Sequence, residues 1–273
     1  MVFTRRSPVR FALIAVAPAM AAVAALSVTL WATPTHALSC APPMVTVTPG
    51  PQGEAPLNAR VVITIPLRSG FVAKLDELPG LRFELREREE PNRAVAVRRV
   101  DLGAGEQRQV ELTPVARLRR HTSYEIVVDH PERRDVPTRT LGPFRTGADV
   151  DVAAPVWNGV TKATLAPRSN GKWGPSGPTA TFHFGAAGDE STANEELRFG
   201  VWLPDGQGRF DYAKPPTTYA SAHGGGQFVL TGGAPCGWAT FRFPITTRLG
   251  VRAIDLAGNM GSPSEVRLEP VAR

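Results

Sequence analysis

The sequence has 273 residues, of which 42% are hydrophobic and 7% aromatic, and its 31 basic and 25 acidic residues give a net charge of +6 at pH 7. Charges of both signs are interspersed, which is typical of a solvated surface and excludes an extended basic footprint for nucleic acid. A chain of this length accommodates two domains of ordinary size.

The first residues predict export from the cytoplasm. Three arginines within the first ten residues precede an apolar run, Phe11–Trp31, and the small residues Thr35 and Ala37 suit the −3 and −1 positions of a cleavage site. This pattern predicts a signal peptide over residues 1–37 and a secreted, periplasmic or cell-surface protein. An uncleaved anchor is the alternative, and the choice between the general and twin-arginine export routes stays open. No later segment is apolar enough to span a bilayer.

Short alternating apolar runs, separated by Pro, Gly, Asn and Asp, fill the first half of the remaining chain, and no sustained helical periodicity interrupts them. Such runs predict strands, and seven of them at this spacing predict a β-sandwich, with a barrel as the alternative. The runs are Met44–Thr48, Ala59–Ile65, Leu81–Arg86, Ala94–Val100, Gln109–Thr113, Ser123–Val128 and Leu141–Arg145.

A polar, Pro-terminated stretch then predicts a linker over 148–154, between a first domain at 38–147 and a second at 155–273. The pattern of short strands resumes after it, so the fold class is all-β with two tandem sandwiches. The expected strands are Val156–Leu165, Thr179–Phe184, Leu197–Leu203, Gln227–Leu230, Trp238–Phe243, Leu249–Asp255 and Glu265–Leu268.

Both halves contain stretches that resemble bacterial immunoglobulin-like (Ig-like) and fibronectin type III-like domains. The first half contains "VTPGPQGEAPLNARVVITIP", "VELTPVARLRRHTSYEIVVD" and "LGPFRTG", and the second contains "LGVRAIDLAGNMGSPSEV". The resemblance covers residues 40–147 and 155–270 and implies two Ig-like sandwiches. It also implies that Tyr124 is a structural tyrosine corner, with its hydroxyl capping a carbonyl of the preceding turn.

Two cysteines, Cys40 and Cys236, occur near the two ends of the exported chain. Export into an oxidising compartment favours a disulfide between them. Lipidation of Cys40 is the alternative, although Ala37 and Ser39 fit a lipoprotein signal poorly.

Acidic residues in the linker raise the question of a metal. Asp149 and Asp151 lie at the domain junction, and calcium prefers several oxygen ligands. Two carboxylates do not define a site, so any further ligands would have to come from loops such as 188–191 or 254–259. The alternative is a solvated linker without a metal, and no cofactor is expected.

Aromatic residues are concentrated in the second half, where they predict either a core or a binding surface. Trp173, Phe210, Tyr212 and Tyr219 lie in Gly- and Pro-rich or polar stretches and are candidates for stacking on a sugar or contacting a peptide. Other tryptophans fit core positions in strands; these are Trp157, Trp202 and Trp238.

The residues do not assemble a catalytic set. "HGGGQF" at 223–228 resembles the oxyanion loop of some esterases, but no nucleophile elbow follows it. We therefore expect a non-enzymatic structural, adhesion or binding protein whose partner is a protein or glycan at the cell envelope. A carbohydrate- or peptide-binding module is the alternative, and a hydrolase or enzyme accessory domain is a remote one.

Overall fold

The computed structural model describes residues 45–66, 80–103, 107–133, 137–167, 177–222, 226–231 and 248–271. These ranges contain nineteen strands, and no helix in them is long and apolar enough to cross a membrane. Residues 42–273 form one compact unit that contains all of these strands.

The first sandwich consists of two sheets with the strand orders β1-β3-β7-β6 and β2-β9-β8-β4-β5. Most neighbours are antiparallel, whereas β2 runs parallel to β9. The strands are β1 (Thr46–Thr48), β2 (Glu54–Ala55), β3 (Val61–Pro66), β4 (Arg82–Glu87), β5 (Ala94–Val95), β6 (Val97–Leu102), β7 (Gln107–Pro114), β8 (Ser123–Asp129) and β9 (Arg139–Thr146).

The second sandwich consists of sheets with the orders β16-β12-β11-β19 and β15-β14-β17-β18, and the short strands β10 and β13 pair beside them. Its strands are β10 (Val156–Trp157), β11 (Val160–Ala166), β12 (Thr179–Phe184), β13 (Ala187–Gly188), β14 (Arg198–Trp202), β15 (Thr218–Ser221), β16 (Gln227–Thr231), β17 (Arg248–Ile254), β18 (Ser264–Arg267) and β19 (Glu269–Pro270). The strand expected at Trp238–Phe243 lies outside the described residues.

Each sandwich has its own core, because alternate residues of each strand point between the two sheets. In β3, Val61, Ile63 and Ile65 are each at most 1% exposed and pack in the core of the first sandwich. Phe182 and Phe228 stack at 4.5 Å between centroids in the core of the second. The all-β class and the two-sandwich architecture expected from the sequence are therefore confirmed.

Strand β3 is buried on both faces, and its sequence, VVITIP, is apolar at every position except the half-buried Thr64. Val62 points away from the first core and is still only 3% exposed. It packs instead with residues of the second sandwich. Part of the outer face of this sheet is thus a contact surface.

Candidate functional site

The two sandwiches pack sheet against sheet. Val62 and Leu102 from the first sandwich form an apolar cluster with Trp202, Tyr219 and Ile254 from the second, and all five are at most 8% exposed. These side chains point outward from strands whose alternate residues fill the two cores. Each sheet therefore contributes one face to its own core and part of the other face to this contact.

A polar network in this contact is centred on Gln109. Its Oε1 accepts from the backbone N–H of Tyr219 at 2.7 Å and from the Thr218 hydroxyl at 3.1 Å, and its Nε2 donates to the Tyr219 carbonyl at 3.0 Å. One side-chain amide thus satisfies both backbone groups of a residue in β15, as a neighbouring strand would. This arrangement extends hydrogen bonding across the boundary between the sandwiches.

Glu111, two residues along β7, binds a tyrosine and an arginine. Its Oε2 accepts from the Tyr219 hydroxyl at 2.5 Å, and its Oε1 lies 3.3 Å from Nη1 of Arg60. Burial raises the pKa of Tyr219, so its hydroxyl stays protonated and donates to the carboxylate. The guanidinium of Arg198 lies 5.0 Å from the centre of the Tyr219 ring.

A loop of the second sandwich completes the core of the first. Leu256 lies just after β17, is 1% exposed, and packs in the same cluster as Val61 and Ile63. Its carbonyl accepts from the backbone N–H of Arg60 at 2.7 Å. The following turn contains Gly258 at a φ of +88°, where a Cβ would lie 2.2 Å from Nε of Arg60.

The linker is held by one asparagine from each sandwich. Asn58 pairs with the backbone of Asp151 through two hydrogen bonds, donating to its carbonyl at 2.7 Å and accepting from its N–H at 2.9 Å. Asn259 from the second sandwich donates to the same carbonyl at 3.3 Å. The linker is therefore anchored at Asp151, although Val152 just after it is 83% exposed.

Three carboxylates converge beside this anchored linker. Asp151, Asp189 and Asp255 each place one carboxylate oxygen within 4.8 Å of the other two. Asp151 comes from the linker, Asp189 from the segment between β13 and β14, and Asp255 from the loop after β17. Asp151 and Asp255 are buried, whereas Asp189 is half-buried.

Backbone hydrogen bonds fix each carboxylate through one oxygen. Oδ1 of Asp151 accepts from the N–H of Ala153 at 3.0 Å, and Oδ1 of Asp255 accepts from Asn259 at 2.8 Å. Oδ1 of Asp189 accepts from the N–H groups of two residues that follow it. By contrast, Oδ2 of Asp151 and Oδ2 of Asp255 are buried without a hydrogen-bond partner.

The electrostatic environment disfavours three charges in this cluster. The pKa of Asp255 is raised to about 6, mainly by burial and also by the neighbouring charges of Asp151 and Asp189, whereas the hydrogen bonds from Asn259 lower it. Burial likewise raises the pKa of Asp151, with Asp189 and Glu190 adding like charge. The nearby Arg198 donates to the carbonyl of Asp255 at 2.7 Å and not to its carboxylate.

One member of this cluster, Asp189, also lines an acidic depression of about 360 Å³. Its lining includes Glu54, Asp189, Glu190 and Glu196. Glu196 accepts from the backbone N–H of Gly50 at 2.6 Å, and burial raises the pKa of its carboxyl. The depression therefore concentrates negative charge where the first sandwich meets the second.

The structure separates the two linker aspartates singled out in the sequence. Asp151 belongs to the carboxylate cluster, whereas Asp149 is exposed and its carbonyl accepts from the N–H of Leu57 at 2.9 Å. The remaining members come from the two loops considered in the sequence, 188–191 and 254–259. Nothing in the sequence indicated that Asn58 contacts the linker, beyond its place in a turn.

The aromatic candidates lie against protein rather than forming a surface platform. Tyr219 is 7% exposed, which corrects the expectation that it could stack on a sugar. Phe210 and Tyr212 are half-buried, and Tyr212 meets Trp202 edge-on at 5.2 Å between ring centroids. A Cβ on Gly250 would meet both Phe210 and Tyr212, so these rings cover the backbone of β17. Trp173 lies outside the described residues.

Tyr124 has the environment of a tyrosine corner. It is 1% exposed, stacks on Phe144 at 5.6 Å, and its hydroxyl accepts from the backbone N–H of Arg119 at 2.8 Å. The partner is thus an N–H group five residues upstream, and not the carbonyl that the resemblance implied. The hydroxyl ties the turn before β8 to the core.

We expect Tyr124→Phe to lower the free energy of unfolding by about 1 kcal/mol, because the N–H of Arg119 loses its acceptor while the ring packing is kept. Tyr212→Phe is the matched control. The Tyr212 hydroxyl is buried without a hydrogen-bond partner, so its removal should change stability by no more than about 0.5 kcal/mol. Urea unfolding of both variants checks this, and equal losses would contradict it.

The two cysteines and the start of the glycine loop belong to segments outside the described ranges. These residues are Cys40, Cys236, and His223, Gly224 and Gly225 of "HGGGQF", whereas Gly226 begins the described segment that leads into β16. The proposed disulfide and the esterase-like loop therefore remain sequence predictions.

The strand orders of both halves are those of Ig-like β-sandwiches. One sheet pairs β3 with β7 in the first half and β12 with β16 in the second, and the facing sheet pairs β4, β8 and β9 in the first half and β14, β17 and β18 in the second. The chain is thus a tandem of two Ig-like domains packed sheet against sheet. No protein-family model and no curated protein matches it.

Solved structures that match the chain include Ig-domain tandems. The N-terminal Ig1-2 module of the Drosophila receptor protein tyrosine phosphatase DLAR is 13% identical with a TM-score of 0.29, and the match covers 84% of this chain and all of that one. Domains 1-6 of the surface layer protein SbsC are 12% identical with a TM-score of 0.28, covering 85% of this chain and 26% of that one. The full ectodomain of mouse nectin-like molecule 4 is 12% identical with a TM-score of 0.24, covering 85% and 66%. At these scores the fold assignment rests on the strand pairing itself.

Proposed function

We propose that this chain is an exported, non-enzymatic structural or adhesion protein whose two Ig-like domains act as one rigid body at the cell envelope. The sheet-to-sheet contact around Tyr219 carries the proposal. Domains joined only by a linker move independently. This pair shares an apolar cluster, the hydrogen-bonded side-chain amide of Gln109, and Leu256, which packs into the core of the first domain. A rigid pair holds whatever it binds at a fixed distance and orientation.

The aromatic residues of the second domain support this choice over a carbohydrate-binding module. Tyr219 serves the domain contact, and Phe210 and Tyr212 pack on β17. The buried carboxylates also lie at the domain junction, with their Oδ1 atoms bound to backbone N–H groups. The described polar network thus holds the domains together.

Two measurements test the proposal. Cell fractionation with intact mass analysis should find the chain outside the cytoplasm, at the mass of residues 38–273, or at that of residues 40–273 with a lipid on Cys40. Uncleaved chain retained in the cytoplasm would exclude an exported role.

The rigid body is tested by scanning calorimetry of the purified chain. We expect a single transition whose calorimetric and van 't Hoff enthalpies agree, because neither sandwich keeps its contacts when the other unfolds. Two separate transitions would show that the domains are independent and would overturn this part of the proposal.

A further inference from the structure

We propose that a calcium ion binds between the carboxylates of Asp151, Asp189 and Asp255 and stabilises the junction of the two domains. The proposal goes beyond the function given above and does not depend on it, because metal binding is measurable on the purified chain whatever its partner.

The geometry of the cluster suits calcium. Calcium binds oxygen at about 2.3–2.6 Å, so ligands on opposite sides of the ion are about 4.6–5.2 Å apart. The three carboxylate oxygens lie within 4.8 Å of one another, so a single calcium ion can reach all of them without moving the backbone. Magnesium requires about 2.0–2.1 Å and near-octahedral order, and three carboxylates fixed by separate backbone segments match it less well.

Two buried oxygens without hydrogen-bond partners are a second indication of a cation, independent of the distances between the carboxylates. Asp255 is fully buried and Asp151 is 4% exposed, yet Oδ2 of each has no hydrogen-bond partner. Buried carboxylate oxygens are ordinarily hydrogen-bonded or bound to a cation, because an unpaired buried charge is costly. In the part of the chain that the structure describes, none of the three aspartates forms an ion pair with Lys, Arg or His. A divalent ion would supply the missing charge.

The surroundings orient the carboxylates and leave one member open to solvent. The Oδ1 atoms are held by backbone N–H groups, which directs the other oxygen of each side chain elsewhere. Asp189 lines the acidic depression, through which an ion can enter with water molecules to complete its coordination. The cluster is thus preorganised on one side and accessible on the other.

The consequence of binding would be mechanical. Asp151 belongs to the linker, which Asn58 ties to the first domain, whereas Asp189 and Asp255 belong to the second. An ion held by all three would join the linker to the second domain and, through Asn58, to the first. It would also fix the loop that carries Leu256 into the first core.

Calcium chloride is titrated into the chelator-treated full chain by calorimetry, and melting is followed in parallel with calcium or EDTA. We expect one site with a dissociation constant of about 10⁻⁵–10⁻³ M. At a hundredfold excess of calcium over that value, the melting temperature should rise by roughly 5–10 °C. No binding heat and no shift in melting temperature would overturn the proposal, and so would an equal shift with magnesium.

Variants at two aspartates locate the site. Asp255→Asn keeps the Oδ1 acceptor for Asn259, so it should fold and melt in EDTA at or above the wild-type temperature while losing at least tenfold in calcium affinity. Asp149→Asn, in the same linker but outside the cluster, should bind calcium as wild type does. Calcium stabilisation that survives Asp255→Asn, or that is lost in Asp149→Asn, would show that any bound ion lies elsewhere.

Discussion

Leu256→Ala is expected to lower the free energy of unfolding by about 2–5 kcal/mol, because it removes a fully buried side chain and leaves a cavity. The cavity would lie in the core of the first domain, although Leu256 belongs in sequence to the second. Urea unfolding measures the total loss of free energy of unfolding, and hydrogen exchange of the β3 amides shows whether the first core is destabilised. We expect faster exchange in β3, which lines the affected core.

The control for this variant is Val152→Ala in the nearby linker. Val152 is 83% exposed, so its truncation should change stability by less than about 0.5 kcal/mol. If Leu256→Ala were equally neutral, or if β3 kept its protection, the leucine would not be part of the first core.

Gln109→Ala is expected to cost about 2–4 kcal/mol, because it leaves the N–H and carbonyl of Tyr219 buried without their partners. The lost hydrogen bonds belong to the contact between the domains and not to either core. Scanning calorimetry should therefore show a lower or broader transition, with β15 the first strand to gain hydrogen exchange.

Gln227→Ala provides the same chemical change at a half-buried position in β16. It should be nearly neutral, within about 0.5 kcal/mol. A loss for Gln109→Ala no larger than that of the control would mean that the amide contributes nothing to the domain contact.

The strands could be predicted from sequence because their periodicity is local. Runs such as Ser123–Val128 alternate clearly, and the observed β8 (Ser123–Asp129) differs by one residue. Although β1 and β18 overlap runs predicted as strands, the short strands β2, β13 and β15 were not predicted, because so short a segment has no measurable period. Their pairing is imposed by neighbours that are distant in sequence.

The domain contact could not be predicted, because its polar residues have the pattern of a solvated face. Gln109 and Glu111 alternate with Val110 and Leu112 along β7, as outward-facing residues of a half-exposed sheet do. They are buried only because the second domain packs over them. The largely aliphatic sequence of β3, interrupted only by Thr64, was a local sign that part of both faces of this sheet is covered.

The carboxylate cluster was partly visible in the sequence. Its three segments are the linker and the two loops that the calcium hypothesis named, but the sequence could not decide which linker aspartate points inward. That choice depends on Asn58, which binds the backbone of Asp151 from the first domain and leaves Asp149 exposed. A contact across 93 residues has no local signature.

The position of Leu256 also bears on how this pair of domains can be exchanged among proteins. A gene fragment ending at the linker would encode a first domain with a hole where that leucine belongs, and a second domain with an apolar side chain left in water. Recombination at the linker should therefore destabilise both of the separated domains. We expect the two domains to be inherited together, so that a homologue built by domain shuffling has both of them or neither.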